Sequence, residues 1–151
     1  MAEYIELLKK LKSDLSKLKI DHKKLKPEEL NIYNLINGRN SIAQFNVDDQ
    51  IILLGKGDSN KGLVHILERH YCDHCDGWLN ARDIVFMSRV FKNGRKMSDY
   101  EMKEEYIDKE GYIYLLNDIK YIVIIGIDHK VGIKKVITYY TDRIAEPVAL
   151  H

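Results

Sequence analysis

Long apolar runs, a strong net charge and the common catalytic motifs are all missing from this 151-residue sequence. Apolar stretches such as residues 121–126 are far shorter than the roughly 18 uncharged residues of a transmembrane helix, so no membrane span is expected. The lysine-rich, amphipathic N-terminus has no apolar core followed by a cleavage site, which argues against a signal peptide. The two cysteines and the abundant lysine predict free thiols and a cytoplasmic protein.

Motifs for nucleotide hydrolysis and metalloprotease chemistry are also missing. The sequence has no G-x-x-x-x-G-K-S/T loop, no G-x-G-x-x-G after a strand, no G-x-S-x-G and no H-E-x-x-H. The pair Cys72 and Cys75 resembles half of a zinc site, but there is no second pair, so a polar loop is the favoured interpretation. Zinc binding stays a third hypothesis, with the remaining ligands drawn from His22, His70, His74 and His129.

Charge is distributed in blocks, although the formal net charge is only +1. Residues 1–40, 61–97 and 119–143 each carry an excess of three positive charges, whereas residues 98–118 carry an excess of five negative charges. The hydrophobic content of 45% is ordinary for a folded domain. A local basic face is therefore predicted on a protein that is not basic overall.

Helices are predicted in the first two thirds of the chain. Leucines spaced by three and four residues favour a helix over residues 3–19, and Pro27 opens a second one that ends near Leu35 or Ile36. We expect residues 1–40 to form a helical hairpin and residues 41–151 to form an α+β domain. Residues 61–71 predict a further helix, with its N-cap supplied by residues 58–60, and Asn80 caps another helix that ends near Phe91.

Strands are predicted mainly in the last third. Residues 112–116, 119–127 and 132–140 alternate with turn residues and predict an antiparallel meander, which makes the fold α+β. Strict alternation places Val136, Thr138 and Tyr140 on one face of the last strand. Residues 42–54 are expected to form one short strand, and the acidic residues 98–109 a helix or a mobile segment.

The helix at residues 61–71 carries the most informative pattern. Lys61, His65 and Arg69 recur at every fourth residue and therefore form one cationic, titratable stripe. An imidazole beside fixed positive charge suits proton transfer next to a phosphate. His70 lies on the apolar side, and a surface helix with one buried structural histidine is the alternative.

Metal-free cleavage of RNA needs a base for the ribose 2′-hydroxyl, an acid for the 5′-oxygen and cations or donors at the phosphate. His65 and His70 are the candidate acid and base, and Arg69 and Thr138 complete the predicted catalytic set. The predicted RNA-binding residues are Lys61, Arg82, Ser88, Lys134, Tyr140 and Arg143.

Residues 50–143 resemble the phage-associated barnase–EndoU–colicin–RelE-like ribonucleases. The likeness is carried by residues 62–70, Gly-Leu-Val-His-Ile-Leu-Glu-Arg-His, and residues 135–140, Lys-Val-Ile-Thr-Tyr-Tyr. The resemblance implies helices packed on a curved antiparallel sheet, with His65 or His70 as acid or base, Arg69 on the phosphate and Thr138 against the substrate. It leaves the catalytic basic residue of the second strand open between Lys120 and Lys134.

The leading hypothesis is a metal-independent endoribonuclease of a toxin or phage, which needs no cofactor and cleaves by attack of the 2′-hydroxyl. RNA is the expected partner, and a neutralising protein is a further candidate partner. The alternative is a non-catalytic phage or mobile-element protein that inhibits a host protein. In that case the acidic segment, including Glu104 and Glu105, would be the interaction surface.

Overall fold

The structure is a computed structural model that describes residues 2–73, 75–128 and 130–143. The helices are α1 (Ala2–Lys17), α2 (Pro27–Ile36), α3 (Gly62–His70), α4 (Ala81–Val85) and α5 (Ser88–Asn93). The strands are β1 (Ile42–Val47), β2 (Gln50–Gly55), β3 (Arg95–Lys96), β4 (Glu110–Leu116), β5 (Ile119–Asp128) and β6 (Ile133–Arg143). No helix in these ranges is long and apolar enough to cross a membrane.

The six strands form one mixed sheet in the order β1-β2-β6-β5-β4-β3. The predicted meander is confirmed, because β4, β5 and β6 pair antiparallel in sequence order. The α+β class is also confirmed. The expectation of a purely antiparallel sheet is wrong, because β2 pairs with β6 in parallel. The chain between these two strands contains three helices and is long enough to return to the same end of the sheet.

Residues 42–54 form a hairpin rather than the single strand that was expected. Strands β1 and β2 pair from Ile42↔Gly55 to Val47↔Gln50. The turn residues Asp48 and Asp49 both have positive φ, at 46° and 65°. Aspartate tolerates this left-handed conformation, so the pair forms a tight hairpin turn without the glycine that usually marks one.

The helix ends show which local signals were sufficient. Asn80 caps α4 as predicted, since its side chain accepts a hydrogen bond from the Asp83 N–H at 2.8 Å. The single helix expected there is divided into α4 and α5. The N-cap of α3 is Lys61, whose side chain makes no capping bond, so the cap expected from residues 58–60 is wrong.

A β-bulge in β6 changes which side chains share a face. Ile124 pairs with Thr138 but Ile125 pairs with Val136, so Ile137 is an extra residue. The prediction that Val136 shares a face with Thr138 and Tyr140 is therefore wrong. Val136 belongs to the main core, whereas Tyr140 and Ile137 pack in a second cluster.

The sheet separates two hydrophobic clusters of unequal size. The alternation of β5 places Val123 and Ile125 in the main cluster, which all five helices join, and Ile122 and Ile124 in the smaller one. The acidic segment, residues 98–109, packs its side chains Met102 and Tyr106 against the smaller cluster. The segment was expected to be a helix or mobile, and it forms two short 3₁₀ turns instead.

Candidate active site

Helix α3 places two imidazoles with their Nδ1 atoms already engaged. His65 Nδ1 lies 2.9 Å from the Ser59 carbonyl oxygen, and His70 Nδ1 lies 3.0 Å from the Asp76 carbonyl oxygen. A carbonyl can only accept a hydrogen bond, so each Nδ1 carries the proton and donates it. In the neutral form of each ring, Nε2 is therefore the nitrogen that can take up a proton.

Four aromatic rings from three parts of the chain meet at this point. The ring centroids are 6.0 Å apart between His65 and His70, 5.7 Å between His70 and Tyr140, and 6.5 Å between Tyr106 and Tyr140. We call His65, His70, Tyr106 and Tyr140 the histidine–tyrosine cluster. It joins α3, β6 and the acidic segment, and it includes three of the residues that the sequence had singled out.

Gly77 brings the loop after α3 into contact with this cluster. Its φ is +69°, and a Cβ at this position would lie 3.0 Å from Tyr140 Cβ and 3.1 Å from His70 Nδ1. The loop is tied to its neighbours by the bonds Thr141 N–H to the Gly77 carbonyl and Leu79 N–H to the His70 carbonyl. Only glycine fits this close approach, which sets the position of the His70 ring.

Burial is the main influence on the pKa values of His70 and Tyr140. Burial lowers the pKa of His70 below 6.5, and the positive charges of His65 and Lys103 lower it further, whereas the hydrogen bond to the Asp76 carbonyl raises it. His70 is therefore neutral at pH 7 and able to act as a base. Burial also raises the pKa of Tyr140, so its hydroxyl stays protonated and available as a donor.

Two cations lie beside the tyrosines of the cluster. The Lys103 Nζ is 4.5 Å from the centroid of the Tyr140 ring. Arg69 is close enough to Tyr106 that its charge lowers the pKa of that phenol, although burial raises it more. Arg69 was predicted from the sequence as a site residue. Lys103 and Tyr106 were not, because both lie in a run of acidic residues that resembles a solvated surface.

Thr138 is buried on the same side of the sheet as Tyr140. Its side chain is 0% exposed, and its Oγ1 has no hydrogen-bond partner among the described residues. An unsatisfied buried hydroxyl is uncommon in folded proteins because it loses its bonds to water without replacement. The hydroxyl therefore has hydrogen-bonding capacity that its surroundings do not use.

The remaining predicted RNA-binding residues are not part of the cluster. Lys134 bonds to Glu110 at 2.6 Å and to Gln50 at 2.5 Å. Ser88 is buried on α5 beside a cavity that Glu28 and Asp48 also line. Three other positively charged residues occupy exposed or peripheral positions, namely Lys61 at the start of α3, Arg82 on α4 and Arg143 against Trp78.

Lys120, the other candidate for the catalytic basic residue of the second strand, lies on β5 opposite Asp142. It lines a surface cavity of about 480 Å³ together with Arg95 and Glu101, close to the turn between β4 and β5. The structure therefore brings neither Lys120 nor Lys134 into contact with the cluster residues.

Cys72 and Cys75 form a disulfide, so the prediction of free thiols is wrong. The turn between them brings their Cα atoms to 5.7 Å, within the usual range for a disulfide. Within the described ranges, no group of three or more histidine, cysteine or acidic side chains is placed to hold a metal ion. His74 and His129, which the zinc hypothesis also used, lie outside the described residues.

Comparison with known proteins adds no further assignment: no protein-family model matches this chain, and no curated protein is similar to it.

Proposed function

We propose that the chain is a metal-independent endoribonuclease that cleaves RNA by attack of the ribose 2′-hydroxyl. The observation that carries this proposal is the histidine–tyrosine cluster. Two imidazoles 6.0 Å apart, each with its Nδ1 held by a backbone carbonyl, have Nε2 atoms suited to proton transfer. Arg69 and Lys103 beside them supply positive charge for a phosphate.

The reaction uses two proton transfers around one phosphorus atom. The neutral imidazole of His70 takes the proton of the 2′-hydroxyl, and the 2′-oxygen forms a bond to phosphorus. The bond from phosphorus to the 5′-oxygen breaks, and a protonated His65 donates a proton to that oxygen. The products are a 2′,3′-cyclic phosphate and a 5′-hydroxyl. Arg69 binds the charged phosphate oxygens, and Thr138 does so once the packing around it opens to admit the substrate, because its hydroxyl is buried in the free protein.

The family resemblance agrees with this arrangement and is part of the proposal. The helix that begins at Gly62 packs against β6, whose Thr138 and Tyr140 share the face of the sheet that bears the smaller cluster. We therefore propose a fold of the barnase–EndoU–colicin–RelE-like type, serving a toxin or a phage nuclease. This origin also suggests a protein that neutralises the enzyme.

The test is cleavage of total cellular RNA in EDTA by purified wild type, His65→Ala and His70→Ala. Wild type should cleave RNA and leave DNA intact, and each substitution should lower the rate roughly 10²–10⁴-fold. Arg39→Ala is the matched control, because Arg39 follows α2 and is exposed on another part of the molecule. Equal cleavage by all four proteins would indicate a contaminating nuclease and would contradict the proposal.

A second candidate function is the inhibition of a host protein by the acidic segment. The observation in its favour is the full exposure of Tyr100 and the 65% exposure of Ile107, which stand among exposed carboxylates such as Glu104 and Glu105. If this function is correct, reversing the charge of Glu104 and Glu105 should abolish growth inhibition in cells, whereas His70→Ala should preserve it. Growth inhibition that depends on His70 would exclude it.

A further inference from the structure

We propose that Lys103 is a second phosphate-binding cation of the RNA site and that the acidic segment presents it to the substrate. This inference rests on the proposed ribonuclease function and adds to it a residue outside the two motifs that carry the resemblance.

The Lys103 ammonium lies over an aromatic ring of the histidine–tyrosine cluster. Three of its close neighbours in sequence are the carboxylates Glu101, Glu104 and Glu105, yet Lys103 forms no ion pair within the described parts of the chain. Glu101 is occupied by Arg95, which contacts both carboxylate oxygens at 2.7 Å. Lys103 instead places its Nζ 4.5 Å from the centre of the buried Tyr140 ring.

The backbone around Lys103 is held in place by residues on both sides of it. Met102, the preceding residue, packs in the smaller cluster, and a Cβ on Gly111 would lie only 2.8 Å from its Sδ. Tyr106, three residues later, stacks on Tyr140. Because both neighbours are anchored on the sheet, Lys103 is directed to one place although its own side chain is exposed.

Tyr140 has several carboxylates near it, which bear on how a phosphate could bind. The carboxylates of Glu105, Asp142 and Asp76 are all near enough to raise the pKa of this phenol. A phosphodiester approaching the cluster would be repelled by these groups, so binding requires cations at the same place. Lys103 from the acidic segment lies over the Tyr140 ring, and Arg69 from α3 is near enough to Tyr106 to lower the pKa of that phenol.

The first measurement does not depend on catalysis. The His70 imidazole is titrated by NMR in wild type, Lys103→Met, Lys103→Arg and the control Lys92→Met, which removes an exposed lysine of α5. Loss of the Lys103 charge should raise the pKa of His70, whereas arginine at this position and the Lys92 variant should leave it unchanged. The other groups that act on His70, namely His65 and Asp76, are the same in all four proteins.

The second measurement is binding of a 2′-O-methyl RNA oligonucleotide, which cannot be cleaved because it has no free 2′-hydroxyl. Lys103→Met should weaken binding roughly tenfold, the effect of losing one charged hydrogen bond. It should also lower the slope of log affinity against log salt by about 0.7, as expected for one phosphate contact on a single strand. Lys103→Arg should restore both values, and Lys92→Met should change neither.

The possible results separate this inference from the function beneath it. If wild type binds the oligonucleotide and Lys103→Met binds it with the same affinity and slope, the role of Lys103 is refuted while the nuclease proposal stands. An unchanged His70 pKa in Lys103→Met would refute the placement of the ammonium. If wild type neither binds the oligonucleotide nor cleaves RNA, the proposed function fails, and the role of Lys103 fails with it.

Discussion

Replacing Thr138 by valine should stabilise the protein and impair its activity. The Thr138 hydroxyl is fully buried and has no hydrogen-bond partner in the described parts of the chain, so the folded state bears the cost of removing it from water. That cost is about 1–3 kcal/mol for a neutral polar group, and valine has nearly the same shape without the hydroxyl. We expect the free energy of unfolding to rise by about 1–2 kcal/mol and the Tm by roughly 2–8 °C.

Thr141→Val is the matched control on the same strand. Thr141 is 3% exposed, and its Oγ1 donates a hydrogen bond to the Trp78 carbonyl at 2.7 Å. Valine here removes a satisfied bond, so this variant should lose about 1 kcal/mol. The two substitutions are chemically identical and are expected to differ in sign only because of the hydrogen-bonding state of each hydroxyl.

The assays are urea unfolding at pH 7.5 and cleavage of RNA in EDTA. Thr138→Val should be more stable than wild type and cleave RNA about 10²-fold more slowly, the usual effect of losing a donor to the charged phosphate. Destabilisation of both variants by the same amount would show that the Thr138 hydroxyl has a partner in solution. A stabilised Thr138→Val with full activity would show that the hydroxyl does not contact the substrate.

Three further predictions concern the loop after α3, an ion pair between the buried Glu29 and the exposed Arg89, and pH. Gly77→Ala should lower the free energy of unfolding by about 2–3 kcal/mol. Gly38 has a similar φ of +75° but no atom within 4 Å of an added Cβ, so Gly38→Ala should lower the free energy of unfolding by only about 1 kcal/mol. Equal losses in urea unfolding would contradict the close packing at Gly77. Arg89→Ala should lower the free energy of unfolding by about 2–3 kcal/mol, because it leaves the 2% exposed Glu29 carboxylate without the guanidinium 3.1 Å away. A loss below 0.5 kcal/mol, about what an exposed pair contributes, would show that solvent compensates for the missing guanidinium. Folding lowers the pKa of His70, so the unfolded chain takes up a proton on this imidazole at a higher pH than the folded protein does. The contribution of His70 to stability is therefore present above pH 6.5 and is lost as the pH falls through its pKa in the folded state. The drop in Tm between pH 7.5 and pH 5.5 should be smaller in His70→Gln.

Much of the fold follows from signals confined to a few residues. As expected, Pro27 begins α2 and Asn80 caps α4. The short turn between β4 and β5 is formed by Asn117 and Asp118, which both have positive φ. Each of these features depends on backbone chemistry within one turn of chain. The meander was predictable for the same reason, because its three strands are consecutive.

The features that could not be predicted depend on contacts between distant residues. The parallel pairing of β2 with β6 joins Ile52 to Lys134, and nothing in either strand alone specifies that partner. The bulge at Ile137 is set by how β6 fits against β5, and it reverses the face on which Val136 lies. A pattern of strict alternation contains no sign of such an extra residue.

The candidate site was predictable to the same extent. His65 and His70 are five residues apart on one helix and therefore about 140° apart around its axis, so the sequence placed them on different sides. The 6.0 Å between their ring centroids was not predictable from the sequence alone. The meeting of His70 with Tyr140, and of Tyr140 with Lys103, required the acidic segment to fold over the second face of the sheet. Its apolar side chains Tyr100, Met102, Tyr106 and Ile107 stand among charged residues as in a solvated loop, which is why the contribution of this segment was missed.

The most direct test of the ribonuclease proposal is the chemistry of the cleaved ends. Wild type and His70→Ala are incubated in EDTA with an RNA oligonucleotide, and with the same oligonucleotide carrying a single 2′-deoxyribose at the cleaved position. The products are then examined by ³¹P NMR. The proposal predicts a 2′,3′-cyclic phosphate from wild type, little product from His70→Ala and no cleavage at the deoxyribose. Ends bearing a 5′-phosphate, or cleavage at the deoxyribose, would contradict it.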